Sequence, residues 1–84
     1  MDARRAARYF SRMENVETVT IRREPIELCQ LLKFAGLVGT GGEAKMVISQ
    51  KLVSVNGEIE TRKRRKLVAG DRVTIGGKTV VVSL

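Results

Sequence analysis

The hydrophobic pattern changes from a helical period to a strand period about halfway along the chain, and this change restricts the fold more than any other feature. Between residues 28 and 35, apolar side chains recur at spacings of three and four, which is typical of a helix with one buried face. In the second half, short alternating segments flank Asn56-Gly57 and Gly76-Gly77, and such dipeptides favour two-residue hairpin turns. A chain of 84 residues with this order predicts one small domain.

Two helices are predicted in the first half of the chain. The first spans Pro25–Ala35, because proline suits a first helical position and Gly36 provides a stop. Phe34 either packs at the edge of this helix or stands on the surface as a base-stacking platform, and we expect packing. The second helix begins at Thr40, whose hydroxyl can accept from the amide of Glu43 while the Glu43 carboxylate reaches back to the amide of Thr40.

The strands are predicted from alternating segments before and after the helices. One strand precedes Pro25 and begins near Glu17, and two hairpins separated by a loop follow the second helix. The order is β-α-α-β-β-loop-β-β, and no βαβ unit repeats. We therefore expect an α+β fold in which two helices pack on a small twisted antiparallel sheet. Residues 14–84 form this domain, and residues 1–13 form a basic N-terminal tail or frayed helix.

Positive charge is concentrated late in the sequence. The formal net charge is +7, and residues 62–84 hold seven Lys/Arg against one Asp/Glu. Five consecutive cations occupy Arg62–Lys66, a run that we name the basic segment. A patch of one sign attracts polyanions, above all nucleic-acid phosphates, although a solvated loop is the plain alternative. The tail arginines either form a further phosphate-gripping arm or belong to an extension without function.

The composition argues against most catalytic sites. There is no histidine, and Cys29 is the single cysteine, so neither a zinc site nor a His-assisted nucleophile nor an internal disulfide can be assembled. We expect Cys29 to be a small buried side chain. No apolar stretch approaches the ~18 residues that span a bilayer, which predicts a cytoplasmic protein. We predict no enzyme activity, no catalytic residue, no metal and no cofactor.

The stretch from Ile26 to Ile75 resembles the alpha-L RNA-binding motif family, the domain of small-subunit ribosomal protein S-four, and within it the short stand-alone bacterial proteins of YbcJ-like type. The resemblance rests on a leucine-rich first helix, Ala44-Lys45 early in the second helix, the hairpin sequence from Val53 to Gly57, and Gly70-Asp71-Arg72-Val73. It departs from many ribosomal members at Thr40-Gly41, where they carry Ser-Arg, and at Lys51, where a glycine is common.

The resemblance implies that the helices and the following hairpin form a basic surface that grips structured RNA through its backbone. The implied RNA-binding residues are Lys33, Thr40, Gly41, Gly42, Lys45, Lys51, Arg62, Lys63, Arg64, Arg65 and Lys66. The basic segment would compensate for the missing arginine, so its neutralisation should weaken binding more than neutralisation of Arg4, Arg5 and Arg8. If all five of its cations meet phosphates, log affinity should fall with log salt at a slope of roughly −3.5 to −4.5.

The implied partner is structured rRNA or tRNA, alone or within ribosomal particles, and the implied role lies in ribosome assembly or translation. We expect a monomer without membrane association. Three aromatic residues in all, none in a predicted strand, argue against a sheet that stacks bases. Two alternatives remain. A β-grasp carrier would need a C-terminal Gly-Gly, whereas this chain ends in Val82-Ser83-Leu84. A module for DNA or an acidic protein would share the same charge.

Overall fold

The computed structural model describes residues 15–84, and the predicted tail therefore lies outside the described residues. The chain forms β1 (Asn15–Thr20), β2 (Ile26–Glu27), α1 (Leu28–Phe34), α2 (Gly41–Ser49), β3 (Val53–Val55), β4 (Glu58–Ile59), β5 (Lys66–Leu67), β6 (Arg72–Ile75) and β7 (Lys78–Ser83). None of the helices in this part of the chain is long and apolar enough to cross a membrane.

The main sheet has five strands in the order β1-β7-β6-β3-β4. Both predicted hairpins are confirmed: β3 pairs with β4 across Asn56-Gly57, and β6 pairs with β7 across Gly76-Gly77. All four turn residues have positive φ, at 53° and 87° in the first turn and 57° and 83° in the second. Positive φ at both central positions matches the right-handed twist of the strands that the turns connect.

The sheet is mixed, and the prediction of a wholly antiparallel sheet is wrong in this respect. Strand β1 lies parallel to β7, from Asn15 opposite Lys78 to Thr20 opposite Ser83. A hairpin forces its strands to be antiparallel, but β1 and β7 are separated by the whole domain, so no turn dictates their relative direction. The α+β class itself is confirmed, because both helices and the other strand pairs follow the predicted order.

The core lies between the helices and one face of the sheet. Leu28, Leu31 and Leu32 of α1 are fully buried, as predicted from their spacing, and they belong to one apolar cluster with Ala44 and Ile48 of α2. The sheet contributes the inward side chains Val53, Val55, Val73, Val80 and Val82. Because alternate strand residues point to opposite faces, Arg72 and Thr74 lie on the face away from the helices.

Helix α1 begins three residues later than predicted. Ile26 and Glu27, expected to be helical, instead form β2 and pair with Leu67 and Lys66 of β5. This pairing satisfies the backbone hydrogen-bonding groups of Ile26 and Glu27 that a helix would otherwise satisfy. Because the partner residues lie about forty positions away in the sequence, no local sequence pattern predicts the pairing. The predicted stop at Gly36 is confirmed: Gly36 has φ +74°, and the amides of Gly36 and Leu37 donate to the carbonyls of Lys33 and Leu32.

Candidate nucleic-acid interface

The opening of α2 leaves two backbone amides available. Thr40 is the N-cap, and its Oγ1 accepts from the amide of Glu43 at 3.0 Å, as predicted. The Glu43 carboxylate reaches one residue further back than predicted, because its Oε1 accepts from the amide of Gly39 at 2.8 Å. Among residues 15–84, no acceptor receives the amides of Gly41 and Gly42. These two N–H groups lie at the positive end of the helix dipole.

Lys33 brings a cation to this helix opening. Its Nζ lies 4.0 Å from the position that a Cβ on Gly41 would occupy. This separation is an ordinary van der Waals contact, so the ammonium group lies directly beside the backbone of Gly41. The end of α1 and the start of α2 therefore place a positive charge beside the free amides of Gly41 and Gly42.

The backbone of the basic segment caps the start of α1. The N-cap residue Glu27 makes no side-chain cap, and the first amides of the helix instead donate to carbonyls of the basic segment. Leu28 donates to Arg65 at 2.9 Å, and Cys29 donates to Lys63 at 3.0 Å. Together with the β2–β5 pairing, these bonds hold the basic segment against the start of α1, so the run is not a solvated loop of undefined shape.

Glu60, which lies just before the basic segment in the sequence, compensates part of its positive charge. It is buried, with 7% of its surface exposed. Its Oε2 accepts from Nε of Arg62 at 2.9 Å and from the Arg62 amide at 3.0 Å, while Oε1 accepts from Nη2 of Arg62 at 3.1 Å and Nη1 of Arg65 at 2.7 Å. The bonds from Arg62, and after them the single bond from Arg65, lower the pKa of Glu60 from 4.5 to about 2 against the opposing effect of burial.

The remaining cations of the basic segment face solvent. Lys63, Arg64 and Lys66 are exposed, and within the part of the chain that the structure describes they make no ion pair. Glu60 raises the pKa of Arg62 through a hydrogen bond and the attraction of its charge, so that arginine keeps its proton while its charge is compensated. The five cations therefore divide into two that are paired with Glu60 and three that are available to a ligand.

Two neighbouring concavities join α2 to the basic segment. The first, of about 570 Å³, is lined by Gly42, Lys45, Met46, Ile48, Ser49, Thr61 and Lys63. The second, of about 600 Å³, is lined by the five residues of the basic segment. Lys63 belongs to both, so they adjoin. We name the first concavity the α2 groove. It brings two elements that lie about twenty residues apart in the sequence into one electropositive surface.

The structure brings most of the predicted binding residues together. Gly42, Lys45 and Lys63 line the α2 groove, Lys33 lies beside Gly41, and Thr40 caps the same helix end. Lys51 does not join them. It is exposed at the other end of α2, beyond the last helical residue Ser49, and lines neither concavity.

Sequence reasoning missed Glu60 and was wrong about Phe34. At the end of β4, the apolar residue Ile59 is 61% exposed, whereas the charged residue that follows it, Glu60, is buried. Hydrophobicity alone predicts the opposite, with the isoleucine buried and the glutamate exposed. A carboxylate placed directly before five cations is the signal that could have revealed the pairing. Phe34 was expected to pack, yet 59% of its surface is exposed, because it follows the buried stripe at the last position of α1.

Comparison with known proteins places this geometry in a family. The family model described as S4 domain matches residues 19–83. "Putative RNA-binding protein YbcJ" of Escherichia coli K12 is 44% identical over 66 residues, covering 77% of this chain and 94% of that protein. "Probable ribosome maturation protein RlbA" of Bacillus subtilis strain 168 is 44% identical over 59 residues, covering 70% of this chain and 83% of that protein.

A solved structure has the same fold. The solution structure of YbcJ from E. coli, described as revealing an alfaL motif involved in RNA-binding, superposes with a TM-score of 0.65 at 42% identity and covers 86% of this chain and 92% of that one. The resemblance that the sequence motifs indicated is therefore confirmed over most of the chain. This protein belongs to the S4 domain family.

Proposed function

We propose that this chain is a non-catalytic protein that binds structured RNA through the surface formed by the opening of α2 and the basic segment. The observation that carries the proposal is that Gly42 and Lys45 of α2 line the same groove as Lys63 of the basic segment. The names of two relatives, a putative RNA-binding protein and a probable ribosome maturation protein, support the same ligand class.

The groove suits the phosphate backbone of RNA. The free amides of Gly41 and Gly42, together with the Thr40 hydroxyl, can donate to one phosphate at the positive end of the helix dipole. Lys33 and Lys45 would flank that phosphate. Lys63, Arg64 and Lys66 would meet a neighbouring strand, and the side of the groove is apolar at Met46. Contacts of this kind position an RNA by its shape and carry little sequence information.

Glu60 would serve this surface indirectly. By holding the guanidinium groups of Arg62 and Arg65, it fixes the conformation of the segment between them. The three unpaired cations would then be presented from a fixed backbone, so less conformational entropy is lost when RNA binds. Arg62 and Arg65, predicted from the sequence to contact RNA, would act mainly as supports.

The ligand we propose is rRNA or tRNA, bound by a monomer in the cytoplasm during ribosome assembly or translation. Residues 14–84 would be the binding domain, with Lys51 and the basic tail at residues 1–13 adding contacts outside the α2 groove. Binding to DNA is the second candidate, because it would use the same charge. RNA and DNA duplexes differ in groove geometry, since A-form and B-form duplexes space their phosphates differently.

A competition experiment tests the proposal. A fluorescently labelled rRNA hairpin bound to the protein is competed by unlabelled hairpin, by tRNA and by duplex DNA at equal phosphate concentration. We expect RNA to compete at least about tenfold better than DNA. Five contacts, from Lys33, Lys45, Lys63, Arg64 and Lys66, predict a salt slope of roughly −3.5 to −4.5. Equal competition by DNA, or an affinity unchanged between 50 and 200 mM salt, would contradict the proposal.

A further inference from the structure

Phe34 forms one wall of a small cleft that shares no residue with the α2 groove. The cleft has a volume of about 200 Å³ and is lined by Ile21, Arg22, Arg23, Pro25, Ile26 and Phe34. Phe34 is the largest exposed apolar side chain among residues 15–84, with 59% of its surface accessible. Its ring therefore presents an exposed aromatic surface beside a cleft, and a planar ligand that enters the cleft could stack on it.

The chemistry of the cleft matches a nucleobase. Its base is apolar, formed by the buried side chain of Ile21 and the half-buried Ile26, and an aromatic ring stands at its edge. Arg22 and Arg23 bring two guanidinium groups, which stack on bases and bind phosphate. The two carboxylates adjacent to lining residues in the sequence, Glu24 and Glu27, are not in the lining. The Oε2 of Glu24 instead accepts from the amide of Ala69 at 2.6 Å.

The cleft lies close to the proposed path of the RNA backbone. Lys33 and Phe34 are consecutive residues at the end of α1, and the ammonium group of Lys33 lies beside Gly41 at the opening of α2. Because neighbouring helix positions are about 100° apart around the axis, Lys33 faces the opening of α2 while Phe34 faces the cleft. Phe34 is therefore the next residue along α1 from a cation that the proposed function places on the RNA backbone.

We propose that this cleft accepts one unpaired nucleobase of the bound RNA, stacked on the ring of Phe34 with its phosphate held by Arg22 or Arg23. The proposal rests on the RNA-binding function proposed above and refines it. The protein then distinguishes a helix that carries an unpaired nucleotide from a fully paired helix, which phosphate contacts alone do not do.

The test uses two RNA hairpins that differ in a single bulged nucleotide, and three variants of the full chain. Phe34→Leu keeps an apolar side chain but removes the π face, and Phe34→Trp keeps it. Leu52→Ala is the matched control, because Leu52 is 53% exposed but lies beyond the far end of α2. Both positions are on the surface, so the thermal unfolding midpoints of the three variants should stay close to that of the wild type, and this is checked first.

We expect the wild type and Phe34→Trp to bind the bulged hairpin roughly 5- to 150-fold more tightly than the paired one, the range that base–aromatic stacking gives. Phe34→Leu should lose this preference and retain its affinity for the paired hairpin, and Leu52→Ala should keep both. With 2-aminopurine at the bulge, fluorescence should fall on binding to the wild type and much less on binding to Phe34→Leu.

The outcomes separate this inference from the function on which it depends. If Phe34→Leu discriminates between the hairpins as the wild type does, or weakens both equally, the cleft does not hold a base and the proposal is overturned. The same holds if the wild type shows no preference while still binding both hairpins in a salt-dependent way. If the wild type binds neither hairpin, the proposed RNA-binding function itself fails.

Discussion

The Glu60 carboxylate fixes the conformation of the basic segment by binding two of its arginines, and Glu60→Gln is the substitution that tests this role most directly. Glutamine keeps the size of the side chain and one carbonyl oxygen but removes the negative charge. The guanidinium groups of Arg62 and Arg65, now 2.9 Å and 2.7 Å from carboxylate oxygens, would lose their counter-charge. Because Glu60 is buried, water cannot fully replace the carboxylate, and the folded state should lose stability.

The size of the effect follows from the exposure of each partner. The side chain of Arg65 is 31% exposed and that of Glu60 is 8% exposed, so their bond is a partly buried charged hydrogen bond. The side chain of Arg62 is 72% exposed, and solvent screens its pair strongly. We therefore expect Glu60→Gln to lower the free energy of unfolding by about 2 kcal/mol in total. For a domain of this size that corresponds to a loss of roughly 10 °C in Tm.

The direction of the pKa shift of Glu60 determines how the stability difference between the wild type and Glu60→Gln changes with pH. The pKa of Glu60 is lowered from 4.5 to about 2 in the folded state, so its contribution to stability is complete above the unfolded pKa and is lost as pH falls from about 5 towards 2. Urea unfolding of the wild type and Glu60→Gln should therefore differ by about 2 kcal/mol at pH 7, and the difference should shrink progressively below about pH 5 and approach zero only at about pH 2 and below.

The control is Glu58→Gln, since Glu58 is an exposed carboxylate in β4, two residues before Glu60. This change should alter stability by less than about 0.5 kcal/mol at either pH. A Glu60→Gln variant as stable as the wild type at pH 7, or one whose deficit is the same at pH 7 and pH 3, would refute the role assigned to the Glu60 carboxylate.

Three further outcomes are expected. Thr40→Ala should lower stability by about 1 kcal/mol in urea unfolding, because the Glu43 amide loses its acceptor, and Thr40→Ser should restore it; equal stability of all three would contradict the cap. Asn56→Ala should lower the free energy of unfolding by about 2 kcal/mol, since it removes the hydrogen bonds to Asp71 and to the Arg72 amide and places an alanine at φ +53°. Asn56→Gly should lose only the hydrogen bonds and therefore less stability; an Asn56→Gly variant less stable than Asn56→Ala would be inconsistent with this turn. Neutralising Lys63, Arg64 and Lys66 should reduce the salt slope for RNA by roughly 2 to 3, more than neutralising Arg4, Arg5 and Arg8, and equal losses would argue against the basic segment.

The features that the sequence predicts correctly are those determined by neighbouring residues. Thr40 caps α2, Gly36 ends α1, and Asn56-Gly57 turns a hairpin because each acts on amides or dihedral angles within a few positions. The family motifs add the overall order of helices and strands, and the structure confirms it apart from the two short strands β2 and β5.

The features that the sequence does not predict depend on distant partners. The pairing of Ile26 with Leu67 replaces the first turn of the predicted α1, and the parallel alignment of β1 with β7 joins opposite parts of the domain. The burial of Glu60 depends on two arginines that a count of charges treats as free cations. The intrinsic helix and strand propensities of individual residues do not include contacts with distant residues, so tertiary packing determines these features.

The central claim is that the opening of α2 and the basic segment form one RNA-binding surface, and the most direct test compares three single charge removals. Lys45→Gln and Lys63→Gln each remove a cation from the α2 groove, one from each element. Arg72→Gln removes an exposed cation from the face of the sheet away from the helices. The measurement is the affinity for a structured RNA between 50 and 200 mM salt. We predict that each groove variant binds more weakly and reduces the salt slope by roughly 0.7 to 0.9, while Arg72→Gln changes neither. If Lys45→Gln behaves like Arg72→Gln, or if all three variants lose the same affinity, the two elements do not form a common surface for RNA.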